Sequence, residues 1–199
     1  MCPLITFEGI DGSGKTSVSK AVHEALAARG RDVVLTGEPT RTWLGEAVRR
    51  GIAEDIDPVT ETFLFLADRQ AHTERLRAWV AAGKTVLCDR YTDSLLAYQG
   101  ARLAGTMEDP IAWLRTLSGR VAIAPDLVLF LRLDPAVGLQ RIAGRDRLAR
   151  FEQEEFLKGV AANYDSIARE TPHYRQLDAT HPVETLKDAA IEAILALGR

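Results

Sequence analysis

Cysteine is nearly missing: Cys2 and Cys88 are the only two in 199 residues. They form neither a CxxC pair nor a metal-ligand spacing, which excludes a disulfide framework and fits a reducing compartment. A basic excess is missing too, since 25 Lys+Arg against 28 Asp+Glu leave a net charge of −3. That balance speaks against a protein that grips a nucleic acid polymer electrostatically. The longest clean apolar runs, such as Leu127 to Leu131, fall far short of the roughly 18 residues of a transmembrane helix, so no membrane partner is expected. Met1 to Phe7 lacks the basic start of a secretory leader, and a cytoplasmic protein is expected. Asparagine occurs once, at Asn163, with Tyr164 after it. The Asn-Lys-x-Asp element of guanine-reading switches is therefore missing.

With 46% hydrophobic and 27% charged residues, the chain has an ordinary globular composition. Its length reads as a single domain, residues 1–199, able to bury a sizeable core without a staple. Five short apolar runs read as buried strands: Leu4 to Phe7, Val33 to Thr36, Thr85 to Cys88, Leu127 to Leu131 and Tyr174 to Leu177. Helical patterns begin near Lys15, Thr42, Pro58, Thr92, Asp109, Pro135 and Phe151, with a last one from Val183 to Leu197. Strands alternating with helices predict an α/β fold, a five-stranded, mainly parallel sheet flanked by helices. Asp57-Pro58, Asp109-Pro110 and Asp134-Pro135 each set an N-cap acid before a proline at the first helical position.

Gly9-Ile10-Asp11-Gly12-Ser13-Gly14-Lys15-Thr16 matches the P-loop pattern and stands between a predicted strand and a predicted helix. Its glycines let successive N–H groups turn inward toward phosphate oxygens, aided by the helix N-terminus. Lys15 would neutralise the β- and γ-phosphates and Thr16 would offer its hydroxyl to Mg²⁺, with Ser17 following. Asp89 ends the third strand, where it would hold Mg²⁺ directly or through water, or else cap the next helix. Phe65 and Arg69, four apart on the helix from Pro58, share one face. They could stack on a flat base and pair with its phosphate. Alternatively Phe65 is core and Arg69 solvated, which spacing alone does not separate. Phe63 and Leu66 lie on another face and are expected in the core. Arg90 adds a cation at the carboxyl ends of the strands.

Phe7-Glu8-Gly9 through Thr16, Glu38-Pro39-Thr40, Leu64 to Arg69, Asp89-Arg90-Tyr91, Ala97-Tyr98-Gln99-Gly100, Arg141 to Gln153 and Asp178-Ala179 together resemble the thymidylate kinase family, over essentially the whole chain. The resemblance implies a P-loop nucleotide-kinase fold with a short lid, often a homodimer, that moves the γ-phosphoryl of ATP to dTMP. It assigns thymine stacking to Phe65 and the dTMP phosphate to Arg69 and Arg90. Asp11 would approach the sugar 3′-hydroxyl, and Glu38 would lie near the acceptor and metal. Tyr98 would crowd the 2′ position, with Gln99 and Ser94 near the base. Lys15, Arg90, Asp11 and Glu38 are then the catalytic candidates in the described motifs.

Arg141 to Arg150 holds four arginines and one aspartate, a local +3. The resemblance makes this stretch the lid, with Arg145 on the transferring phosphoryl and Arg141 against adenine, whose other side the loop at Thr180 would close. Arg147 is the alternative to Arg145. Two departures from the family pattern stand out: Ala149, where an aspartate is usual ahead of Arg150 and Glu152, and Gly37, where an arginine is common before Glu-Pro. His181, His23, His72 and His173 are expected at the surface. Rival readings are a kinase of the same fold acting on dUMP, dCMP or a non-nucleotide, and an ATP-dependent switch. The pocket implied by Phe65, Arg69 and Tyr98 argues against the switch.

Overall fold

A computed structural model describes residues 3–142, 154–171 and 173–197. Its strands are β1 (Leu4–Glu8), β2 (Val33–Gly37), β3 (Thr85–Asp89), β4 (Leu127–Arg132) and β5 (Tyr174–Asp178). All four strand pairings are parallel, in the order β2-β3-β1-β4-β5. Parallel neighbours need long crossovers, and helices supply them: α1 (Lys15–Ala28), α2 (Trp43–Glu54), α3 (Pro58–Ala81), α4 (Thr92–Arg102), α5 (Pro110–Val121), α6 (Pro135–Ile142), α7 (Glu154–Glu170) and α8 (Val183–Ala196). Each predicted strand lies where the apolar run put it, one residue longer at its carboxyl end.

Central β1 is buried along its whole length, as is β4 up to Arg132. Such strands, covered on both faces, read as continuous apolar runs rather than alternating ones. One core cluster contains Phe7, Val18, Val22, Leu129 and Ile191; a smaller one gathers Leu4, Leu76, Val86, Cys88 and Tyr91. Asp57 accepts from the N–H groups of Val59 and Thr60 at 3.0 Å, which starts α3. Asp109 and Asp134 act likewise on Ala112 and Ala136, at 2.9 and 2.8 Å. Asp89 is not the cap of α4, because the residue before that helix is Tyr91.

Phe63, expected in the core, is 53% exposed and meets the Trp113 ring edge to face at 6.2 Å. Leu66 is buried as expected. The 3.6-residue period separates faces of α3, but only its neighbours decide which face is covered.

The contact that fixes the P-loop is made without side chains. A Cβ on Gly12 would lie 2.4 Å from the Gly138 carbonyl oxygen, and one on Gly138 would lie 2.7 Å from the Asp11 oxygen. Helix α6 thus reaches the loop backbone because both residues are glycine. Gly138→Ala is expected to push the helix off the loop and lower stability by about 1–3 kcal/mol, read by chemical denaturation, with weaker ATP binding.

Candidate active site

At the carboxyl end of β1 the chain turns through Gly9 to Gly14, with Gly9, Gly12 and Gly14 at φ of 143°, 81° and 88°. Only glycine takes such angles without strain. Gly14 precedes α1 with no side-chain cap, so the first N–H groups of that helix are not taken by a capping side chain. Ile10 and Ser13 are buried, and Ser17 is exposed on the first turn of α1. Lys15 is 5% exposed; its Nζ donates to the Ile10 carbonyl at 2.7 Å. Burial, helped by the charge of Arg90, lowers its pKa to about 7 against the opposing pull of Asp11 and Asp89.

Thr16 Oγ1 donates to Asp89 Oδ2 at 2.6 Å, while Asp89 Oδ1 is buried without a partner among the described residues. An oxygen pair of this kind, a hydroxyl and a carboxylate with one orphaned oxygen, fits Mg²⁺, which prefers oxygen ligands and takes few from protein. Among the described residues no cluster of three or more His, Cys, Asp or Glu could hold a metal alone. The cation would need phosphate and water oxygens as well.

A cavity between α3 and α4 is lined by Asp11, Glu38, Phe65, Arg69, Arg90, Ser94, Tyr98 and Gln99, together with Pro39, Ile52, Tyr91 and Leu95. The eight residues expected around a second substrate therefore share one cavity. Phe65 is half-buried and Arg69 only 1% exposed, so Arg69 is not the solvated residue of the alternative reading. Its Nη2 donates to Glu38 and, at 2.9 Å, to the Tyr91 carbonyl. Its Nε and Nη1 are buried and find no partner among the described residues. Burial pushes the Glu38 carboxyl up, but Arg69 and His72 outweigh it and hold the group below its usual range.

His72, expected at the surface, is 2% exposed. Its Nδ1 lies 2.9 Å from Glu38 Oε1 and its Nε2 2.8 Å from Thr36 Oγ1. His173 and His181 are exposed and His23 half-buried. His72 sits one turn after Arg69, so helical spacing alone carried the signal that both could reach one carboxylate. Gly37 leaves no room for a side chain, since a Cβ there would approach the Asp89 carbonyl oxygen to 2.7 Å. The Glu38 loop is anchored from α3 instead: Asp68 accepts from Thr40 N at 2.7 Å and Thr40 Oγ1 at 2.5 Å. The Glu38–Pro39 peptide is cis.

Arg90 joins the two halves of the site. It adopts φ of 66°, uncommon for a residue with a side chain. Its guanidinium pairs with Asp11 and lies 5.0 Å from the centre of the Tyr98 ring. Tyr98 Oη in turn accepts from the Asp11 backbone N–H at 3.0 Å. Ser94 Oγ donates to Glu8 Oε2 at 2.5 Å and meets Tyr164 Oη at 2.8 Å. Arg141, in the last turn of α6, donates to the carbonyls of Ala179 at 2.8 Å and Gly12 at 3.3 Å. It thereby ties the P-loop to the turn after β5. Thr180 Oγ1 donates to Asp178 at 2.7 Å. Arg145, Arg147, Ala149, Arg150, Glu152 and the helix start near Phe151 lie outside the described residues.

Glu8 has a part that its place in the motif run did not announce. It is 0% exposed, and its Oε1 accepts from Tyr91 N at 2.8 Å. Burial, reinforced by nearby Asp93, raises its pKa from 4.5 to about 7. A charged residue ending an otherwise apolar strand was the available signal. Because the folded value lies above the unfolded one, the fold keeps a proton between pH 4.5 and about 7. The stability this brings is complete below pH 4.5 and is lost as pH rises through 7. Asp93, also raised by burial, acts in the same sense. Glu8→Gln removes the ionisation. Its stability relative to the unsubstituted protein should rise by on the order of 1–3 kcal/mol from pH 4.5 to 8, read by urea unfolding at each pH. A flat difference would contradict the assignment.

The sequence model of the thymidylate kinase family matches residues 7–190. A probable thymidylate kinase of Methanospirillum hungatei is 42% identical over 193 residues, covering 96% of this chain and 93% of its own. One from Methanococcoides burtonii is 38% identical over 198 residues, covering 98% and 96%. One from Natronomonas pharaonis is 38% identical over 197 residues, covering 98% of both chains. The glycine loop, the cavity with its buried arginine and this whole-length similarity lead to one assignment: the chain belongs to the thymidylate kinase family.

Proposed function

We propose that the protein transfers the γ-phosphoryl group of ATP to dTMP, giving dTDP and ADP. The observation that carries this reading is Arg69: a buried guanidinium lining the cavity, with two nitrogens, Nε and Nη1, that find no partner among the described residues. A buried donor left unpaired is costly, and an acceptor phosphate supplies the missing oxygens. Phe65, one turn earlier on the same face of α3, offers a ring for the base. Phosphoryl transfer leaves a protein little covalent chemistry, so its residues act by alignment and by offsetting charge. Lys15 and the loop N–H groups hold the β- and γ-phosphates of ATP. Arg69 and Arg90 hold the acceptor phosphate, while Asp11 and Glu38 orient those two cations. Thr16 and Asp89 would hold Mg²⁺, which when bound offsets phosphate charge. No general base is required, because the dTMP phosphate is already ionised near neutral pH.

Arg145 is proposed to contact the moving phosphoryl group, and Arg141 and Thr180 to border adenine. The protein is proposed to work in the cytoplasm as a homodimer. Phe63, exposed and edge to face with the half-buried Trp113, offers an aromatic surface for such a contact to cover. Sedimentation at the mass of a single chain would contradict it.

ADP release is to be measured with Mg-ATP and dTMP, dUMP, UMP, dCMP or no acceptor. Preference for dTMP, and loss of turnover on chelation with recovery on added Mg²⁺, are expected. ADP formed without an acceptor, or preference for dCMP or UMP, overturns the reading. In the same assay Phe65→Ala should raise the acceptor KM about 10- to 100-fold through lost stacking. Arg145→Ala should lower kcat, and a larger loss in Arg147→Ala would move the role to that residue.

A further inference from the structure

Helix α3 carries a stripe of which the acceptor reading uses only part. Glu61 stands four residues before Phe65 and eight before Arg69, so all three share a face. Glu61 is 0% exposed and accepts from Gln99 Nε2 of α4 at 2.7 Å. Arg102 brings its Nε to 4.0 Å from the same Glu61 oxygen. Gln99, itself 1% exposed, lines the acceptor cavity, and its Oε1 is buried with no hydrogen-bond partner among the described residues.

A glutamine amide has a donor end and an acceptor end, and its neighbours decide which end points where. A carboxylate only accepts, so Glu61 takes the NH₂ group and leaves the carbonyl as the end without a partner. Arg102 keeps that carboxylate in a cationic neighbourhood. A buried carbonyl oxygen with no donor is costly unless a ligand brings one.

We infer that Glu61 is a positioning residue for base selection. It locks the Gln99 amide so that the bare carbonyl oxygen accepts from an N–H on the acceptor base. This rests on the dTMP reading. The pairing edge of thymine offers two acceptor oxygens, O2 and O4, and one donor, N3–H. Only N3–H can meet Gln99 Oε1. Uracil has the same edge, whereas cytosine presents a bare N3 that opposes the carbonyl oxygen and carries its donor on the 4-amino group, away from the N3 position. The selected class is thus a pyrimidine with a protonated N3, and the 5-methyl group plays no part in this contact.

Glu61→Gln keeps the size of the side chain but replaces an obligate acceptor with an amide that both donates and accepts, which frees Gln99 to turn over. Steady-state kcat/KM is to be measured for dTMP, dUMP, dCMP and N3-methylated dTMP with both proteins. The unsubstituted enzyme should favour dTMP over dCMP by at least about 100-fold and reject the N3-methyl compound. Glu61→Gln should lower the dTMP:dCMP ratio about tenfold or more while leaving the dTMP:dUMP ratio and the KM for ATP unchanged. General damage to the fold would not separate those two ratios. An unchanged dTMP:dCMP ratio in the folded variant overturns the inference while dTMP turnover still stands. If Glu61→Gln does not fold, equal use of dTMP and its N3-methyl derivative by the unsubstituted enzyme overturns it. Absence of any dTMP turnover would fell the functional reading first, and this one with it.

Discussion

A guanidinium cannot be taken out of water alone. Arg69 lies almost fully buried beneath the acceptor cavity, and an unpaired charge there would cost several kcal/mol. Glu38 neutralises it, and Glu38 is held in turn by His72, whose far nitrogen meets Thr36. The chain of contacts runs from β2, through the loop that follows it, to two consecutive turns of α3. It therefore sets where α3 sits against the sheet and where the wall of the cavity stands. A site built to attract phosphate needs cations ready in a dry place, and this buried pair reconciles that need with folding.

The donor and acceptor ends are coupled by a second small set of contacts. Asp11 belongs to the glycine loop, yet its carboxylate pairs with Arg90 and its N–H is received by Tyr98, both of which line the acceptor cavity. Gly12 meets α6 backbone to backbone, and Arg141 carries that helix onward to the turn after β5. The loop is thus braced from both sides, which suits a reaction whose rate depends on alignment. Glu8 serves the same end below the loop, joining β1 to α4 and α7 through Tyr91, Ser94 and Tyr164.

Much of this was legible in the residues, for reasons that differ. The P-loop could be read because its glycines and Lys15 are contiguous and their geometry is local. Phe65 and Arg69 could be paired because helical spacing puts them on one face, but whether that face was buried could not be read from α3 itself. The same limit explains Phe63, whose apolar side chain meets Trp113 at the surface rather than entering the core. It explains His72 and Glu61 as well. Each has a partner on another element, Glu38 and Gln99, at separations of 34 and 38 residues.

The order of strands and helices, the caps that start α3, α5 and α6, and the phosphate-binding turn were determined by the sequence alone, because each depends on neighbours within a few residues. Tertiary structure decided which charges lie buried and which oxygen or nitrogen each of them faces. Burial and pairing are made between elements far apart in the chain, and a polar group acquires its state only when packing has removed its water and chosen its partner. Lys15 and Arg69 were visible as cations from the start; Glu38, Glu8 and His72 became their supporting framework only once the sheet had brought them together.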